Sequence, residues 1–298
     1  MGVFPTGNTL KEKIQGYYID NDSIYIYSYN SGKVYCYLFD EETFIKDFFI
    51  VEKQKKNYDL LTPHSYLTTI SPMIKYGNTI LSTGYRSGET KFETTVNRPV
   101  LTVYNINTDT LTYCANFPKQ YSEYNWGGSM LFRLTYYTMK PDGTIVLSFP
   151  ASHDLAITSI NDLQNMKYVY GGSNQIKTIH SFPYRKGSFS YNNQDIWSWY
   201  LRTPSYEGIL YDQYRNLYYR IARLANKECD PNEQGNKKPI IIIVLDDNLQ
   251  YLGETILPQN LSLCSSNIFV SKEGLNIQVL SENEDILKFY RYDYAKFN

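Results

Sequence analysis

Long apolar runs are missing from this chain. The longest strongly apolar stretch, Ile240 to Leu245, has six residues, far short of the ~20 a membrane-crossing helix needs. It fits a strand buried on both faces. Histidine is scarce: the three present, His64, His153 and His180, are widely spaced. No H-E-x-x-H pair, G-x-S-x-G elbow or glycine-rich phosphate loop occurs, so the motifs of zinc peptidases, serine hydrolases and nucleotide binders are absent. A Ser-His-Asp triad is defined by geometry rather than order and is not excluded by this. The four cysteines, Cys36, Cys114, Cys229 and Cys264, show no C-x-x-C spacing, which argues against zinc and reads as four free thiols. Charge of one sign is also missing. The net charge is −1 and the pI about 6.3, without the basic stripe of a nucleic-acid binder. The short basic clusters at Lys53-Gln54-Lys55-Lys56 and Lys237-Lys238 read as solvated loops. Asp20-Asn21-Asp22-Ser23 lacks the glycine and glutamate of a calcium loop and reads as a turn. No metal or cofactor is expected.

Tyrosine, by contrast, is abundant: 31 of 298 residues. Many sit in alternating runs such as Ile24-Tyr25-Ile26-Tyr27-Ser28-Tyr29. A period of two is that of a β-strand, whose successive side chains point to opposite faces. A tyrosine ring packs on a pleated surface while its hydroxyl reaches water or a polar partner. Polar turns such as Asn30-Ser31-Gly32, Asn107-Thr108-Asp109 and Pro141-Asp142-Gly143 join the runs and mark hairpins. Strands and turns fall into five blocks opening at Tyr17, Ile74, Leu134, Gly208 and Asn267. Within the third, a strand is expected over 131–139. A recurring four-stranded unit is the mark of a propeller blade. The chain therefore reads as one all-β domain over residues 1–298, a β-propeller of about five four-stranded antiparallel blades, with long loops at 52–72, 84–98, 171–207 and 225–238. Two stacked β-sandwiches are the rival architecture. Helix is expected only as single turns, at 159–166 and 195–200.

Several strings carry a resemblance: Phe117-Pro118 followed by Trp126-Gly127-Gly128, Leu147-Ser148-Phe149-Pro150, Tyr211 through Arg220, and Lys272-Glu273-Gly274-Leu275. Their order and spacing resemble an uncharacterised family of bacterial cell-envelope lipoproteins with a six-bladed-propeller-like fold, a domain of unknown function. The resemblance covers nearly the whole chain from about Gly16. It implies a cell-envelope location, periplasmic or surface, with membrane attachment only through a lipid anchor that this chain does not carry. No signal peptide is visible at Met1-Gly2-Val3-Phe4-Pro5. The start of the chain resembles the end of an upstream blade, so the first blade of the six-bladed pattern is expected to be lacking. The family brings no catalytic residues to carry over.

Candidate ligand-binding residues come from two segments. In Tyr211–Arg220, Tyr214, Arg215 and Arg220 combine planar cations with aromatic faces, a pairing that suits carboxylates, phosphates or sugar hydroxyls. The plainer reading has Arg215 closing a turn and Arg220 facing solvent or an acid, and it carries more weight. In the second segment, Trp126 beside two glycines offers a stacking platform for a sugar, with Arg133 following it; the plainer reading folds Trp126 onto a neighbouring blade. The cluster Trp197-Ser198-Trp199-Tyr200 reads as a lid or partner surface, or more commonly as a buried loop anchor. With no catalytic set, the favoured function is a non-catalytic binding propeller taking a small ligand, a glycan or a protein, and not nucleic acid, at its loop face or central channel. The alternative is an enzyme acting on a glycan or phosphoester from the channel.

Overall fold

The computed structural model describes residues 13–38, 43–51, 63–85, 98–127, 130–183, 193–226, 228, 237–283 and 285–294. The basic run 53–56, Cys229, Gly128 and most of the loops expected at 52–72, 84–98 and 225–238 lie outside the described residues.

Five antiparallel sheets follow one another along the chain. Blade 1 contains β1 (Ile14–Asp20), β2 (Ser23–Ser28), β3 (Lys33–Leu38) and β4 (Phe44–Phe49). Blade 2 contains β5 (His64–Ser65) and β6 (Ile74–Tyr76), both paired with β7 (Thr79–Tyr85), then β8 (Pro99–Asn105) and β9 (Thr110–Asn116). Two short helices, α1 (Gln120–Glu123) and α2 (Met130–Arg133), lead into blade 3. That blade holds β10 (Tyr136–Met139), β11 (Thr144–Ser148), β12 (Asp154–Ser159) and β13 (Asp162–Tyr170). Helix α3 (Asn193–Arg202) precedes blade 4, made of β14 (Ser205–Asp212), β15 (Leu217–Arg223), β16 (Ile240–Leu245) and β17 (Tyr251–Ile256). Blade 5 has three described strands, β18 (Leu263–Ser271), β19 (Gly274–Val279) and β20 (Lys288–Tyr292).

Alternation explains how the blades stack. All six residues of β16 are buried, and they divide by parity. Ile241, Ile243 and Leu245 join Val146 and Leu155 of blade 3, while Ile240, Ile242 and Val244 join Ile268, Leu275 and Ile277 of blade 5. A strand pressed between two neighbouring blades needs apolar side chains on both faces, hence the unbroken run. Each such side chain contributes roughly 1.5–3 kcal/mol when fully removed from water. A core of the same kind joins blades 1 and 2 around Tyr27, Val34 and Ile80. Another joins blades 2 and 3 around Leu101, Tyr137 and Leu147. The blades thus follow sequence order about one axis as a propeller, and the two-sandwich alternative falls. Among the described residues no core joins blade 5 back to blade 1, and Tyr17 and Ile19 of β1 and Phe269 and Phe289 of blade 5 stay exposed.

The segment from 63 to 73 touches all five blades, which places it on the axis. It pairs with β7 through His64 and Ser65. The Leu67 amide donates to Gln15 Oε1 of blade 1 over 3.3 Å. The Tyr137 hydroxyl of blade 3 lies 2.8 Å from the Pro72 carbonyl oxygen. Ile70 packs against Gly208 of blade 4. Thr69 Oγ1 donates to the Ser266 carbonyl of blade 5 at 2.8 Å and accepts from the Ile268 amide at 2.9 Å. Glycines make the room. A Cβ on Gly84 would sit 1.9 Å from the His64 carbonyl oxygen, and one on Gly208 2.6 Å from the Ile70 Cβ.

Two local expectations are corrected. Residues 159–166 form no helical turn: they end β12 and begin β13. As the outermost strand of its blade, β13 is largely exposed, so it lacks the apolar alternation that announces a strand. The strand expected over 131–139 is instead α2 followed by β10. Phe132 there is buried in an aromatic cluster rather than on a sheet face. The helix expected at 195–200 is present within α3.

Candidate functional site

Every inner strand ends at the same face of the propeller in a tight turn. The turns are built from local polar chemistry. Asn21 takes a positive φ of 48° after β1, and Gly77 one of 55° after β6. After β10 the Asp142 carboxylate accepts from the Thr144 amide at 2.9 Å. After β14 Asp212 Oδ1 accepts from the amides of Tyr214 and Arg215 at 2.9 and 3.1 Å. After β18 the Ser271 hydroxyl oxygen accepts from the Glu273 amide at 3.2 Å.

Between these turns lies a bowl of about 410 Å³ to which all five blades contribute. Blade 1 gives Tyr18, blade 2 Ile74, Lys75 and Tyr76, blade 3 Met139, Lys140 and Pro141, blade 4 Tyr211, Gln213 and Tyr214, and blade 5 Val270. Its volume falls within the roughly 300–1,000 Å³ typical of small-molecule sites. The axial segment 63–73 leads directly into β6, whose residues line the bowl.

The charges at the rim are paired. Lys75 Nζ is 2.5 Å from Asp20 Oδ2, and Lys140 Nζ is 2.9 Å from Asp247 Oδ1 and 4.0 Å from Asp142 Oδ2. The Lys140 ammonium also lies 5.3 Å from the Tyr211 ring centroid. Its hydrogen bond to Asp247 raises its pKa above the ordinary lysine value. Burial, and then the Asp20 carboxylate, raises that of the Tyr18 phenol. Burial followed by Asp247 does the same to Tyr211. At neutral pH the bowl therefore presents the neutral phenols of Tyr18 and Tyr211, two ion-paired ammonium groups and the Gln213 amide.

Of the residues singled out from sequence, Tyr214 lines the bowl and is 47% exposed. Arg215 stands on the same turn but is spent on structure. Its Nη1 donates to Asp212 Oδ2 at 3.0 Å and its Nη2 to the Lys272 carbonyl at 2.8 Å, strapping the blade 4 turn to that of blade 5. The turn-closing reading of Arg215 thus describes its contacts. Arg220 neither faces solvent nor meets an acid within hydrogen-bonding distance. It is fully buried between blades 3 and 4, 3.7 Å over the Tyr206 ring. It donates to the carbonyls of Ser152, His153 and Gly171 at 2.7, 2.6 and 3.0 Å and to Ser148 Oγ at 3.1 Å. Burial pulls its pKa down to about 10, still far above neutrality, so it remains a cation. The three arginines and two aromatics do not converge on one place.

Trp126 and Arg133 belong to the opposite end of the molecule, where the links between blades run. Trp126 is buried, donates from Nε1 to the Gln120 carbonyl at 3.0 Å and stacks near Phe132, whose other neighbour is Trp199. Arg133 is 3% exposed. Trp199 anchors α3 in this cluster, while Trp197 is 39% exposed. A second cavity of about 500 Å³ opens on this side between blades 4 and 5, with Arg223 and Lys238 in its wall. Lys238 Nζ donates to the Thr203 carbonyl at 2.5 Å and to Ser205 Oγ at 2.8 Å, 4.0 Å from the Tyr200 ring centroid. Burial lowers its pKa to about 7. No cluster of three metal-ligating side chains occurs among the described residues.

Sequence reasoning missed Tyr18, Lys75, Tyr76, Lys140 and Tyr211. The available signal was positional. Each sits within three residues of a turn that follows an inner strand, the positions a propeller gathers around its axis.

Comparison with known proteins completes the picture. A family described as "Domain of unknown function (DUF4221)" matches residues 12–256. The crystal structure of a DUF4221 family member from Bacteroides vulgatus superposes with a TM-score of 0.66 at 19% identity, covering 87% of this chain and 70% of that one. The β-propeller domain of Myceliophteria thermophila Cps50 (Swd1) gives a TM-score of 0.47 at 9% identity, covering 95% and 72% of the two chains. No curated protein matches the sequence.

Proposed function

We propose, from the premise that this chain belongs to the DUF4221 family of domains of unknown function, that it is a non-catalytic binding propeller of the bacterial cell envelope with its ligand seated in the axial bowl. The observation that carries this reading is convergence: residues from all five blades meet in one concave site. Ligand sites favour such places, where a rigid scaffold holds loop residues in register. The envelope setting rests on the resemblance of the strings around Trp126, Leu147, Tyr211 and Lys272. Binding is favoured over turnover because the carboxylates nearest the bowl, Asp20 and Asp247, are held in ion pairs with Lys75 and Lys140 rather than left free to transfer protons.

The test is a ligand-observed NMR screen of a small-molecule fragment library against the protein and its Gln213→Ala/Tyr214→Ala double variant. Hits that bind the first and are lost from the second support the reading. Hits that bind both equally place the site elsewhere. Fractionation of producing cells tests the location, and recovery only in the cytosol would overturn the envelope assignment.

A further inference from the structure

We infer that the axial bowl recognises an uncharged pyranose, the ring unit of a glycan; this rests on the bowl being the binding site. The charge pattern comes first. Both ammonium groups are already neutralised, Lys75 by Asp20 and Lys140 by Asp247. An anion would have to compete with a carboxylate of the protein for either of them. A cation fares no better at the Tyr211 face, which already has the Lys140 ammonium 5.3 Å from its centroid. Uncharged ligands remain.

Polarity then narrows the class. An ammonium carries three N–H donors, and the contacts above engage only part of that set. The Tyr18 and Tyr211 hydroxyls already donate, to the Lys75 carbonyl at 3.3 Å and to Asn216 Oδ1 at 3.0 Å, and so face a ligand as acceptors, while the Gln213 amide both donates and accepts. The wall therefore offers a ring of mixed donors and acceptors, which suits hydroxyl groups, since a hydroxyl also does both. Between these polar points lie ring faces and the apolar side chains of Ile74, Met139 and Val270. A pyranose has this divided character, with hydroxyls around its rim and C–H bonds on its faces that pack against phenol rings. Tyr214, the most exposed ring of the four, is placed to close over such a sugar.

The experiment is titration calorimetry backed by saturation-transfer NMR. The probes are the methyl pyranosides of glucose, galactose and mannose and N-acetylglucosamine, with inorganic phosphate, tetramethylammonium and adenosine as anionic, cationic and flat aromatic controls. At least one pyranoside should saturate the protein, and Tyr214→Ala should weaken it about tenfold, the size expected for losing one aromatic contact. Tyr168→Ala, on an exposed tyrosine of β13, should leave the affinity unchanged. If no pyranoside saturates, or if Tyr214→Ala and Tyr18→Phe both leave its affinity intact, the inference is overturned. If instead a control binds in a Tyr214-dependent way, the sugar class is wrong while the bowl remains the site. Should no probe depend on Tyr214 or Tyr18, both readings fall.

Discussion

Replacing Arg220 by leucine should destabilise the propeller without touching the bowl. The guanidinium is fully buried and serves three carbonyl oxygens and one hydroxyl on the blade 3 loops while covering the Tyr206 ring. Leucine fills much of the volume but supplies no donor. The carbonyls of Ser152, His153 and Gly171 would then face a dry interface unpaired. Each hydrogen bond to a charged group is worth about 1.5–3 kcal/mol, but four such values do not add, because water enters and the carbonyls share their losses. A buried acceptor left without its donor costs about 1–3 kcal/mol, and for three carbonyls that share their losses ~4 kcal/mol is the expected total. At roughly 2–4 °C per kcal/mol for a chain of this size class, Tm should fall by about 10 °C. Thermal and urea unfolding followed by circular dichroism measures both quantities. Arg220→Lys restores the charge but not the planar fork, since one nitrogen cannot reach carbonyls spread over residues 152, 153 and 171, and should lose about half as much. A loss under about 1 kcal/mol for Arg220→Leu would refute the claim that these carbonyls depend on Arg220.

Two further outcomes follow from burial. Lys238 has its pKa lowered from the ordinary 10.5 to about 7, so between those values the unfolded chain binds more protons than the folded one. Stability should therefore rise with pH across that window and be lowest below it. Urea midpoints at mildly acidic, neutral and mildly alkaline pH should show this slope, and Lys238→Met should flatten it; an unchanged slope in the variant would assign the effect to other groups. Gly84→Ala drives a methyl group against the His64 carbonyl and Gly208→Ala one against Ile70. Each should cost about 1–3 kcal/mol, with Gly84→Ala also raising amide exchange at residues 65–67, and native-like exchange there would show that the axial segment yields easily.

The fold was legible wherever burial on a sheet face left its mark on side-chain order. The alternation of β2, the unbroken apolar run of β16 and the polar turns between strands could be read directly, because a strand's side chains divide between two faces and a strand covered on both is apolar throughout. Where burial was slight, as on β13, or took another form, as around Phe132, the pattern gave the wrong element. Arg220 illustrates a different limit. Its neighbours Tyr219 and Ile221 are themselves fully buried, a sign that both faces of β15 are covered, yet charge alone points a reader toward solvent or a carboxylate. What satisfies it is a set of carbonyls 49 to 68 residues distant, and no local string records that.

The bowl was the least legible feature because its residues acquire a common meaning only when the blades are arranged about an axis. Tyr214 drew notice as part of an aromatic and basic cluster, but its nearest partners in sequence, Arg215 and Arg220, turn out to brace neighbouring blades. Its neighbours around the bowl are residues such as Tyr18 and Lys140, which share with it only a position near the turn of an inner strand. The arrangement separates duties along the chain. Buried cations lock blade to blade, the segment from 63 to 73 ties all five blades together on the axis, and the turn positions line the face beyond it. A ligand seated there would contact every blade at once, so occupancy should stiffen the array as a whole. Amide exchange across the inner strands of all five blades, measured with and without a saturating pyranoside, should slow together; slowing confined to blade 4 would mean that Tyr211, Gln213 and Tyr214 bind alone.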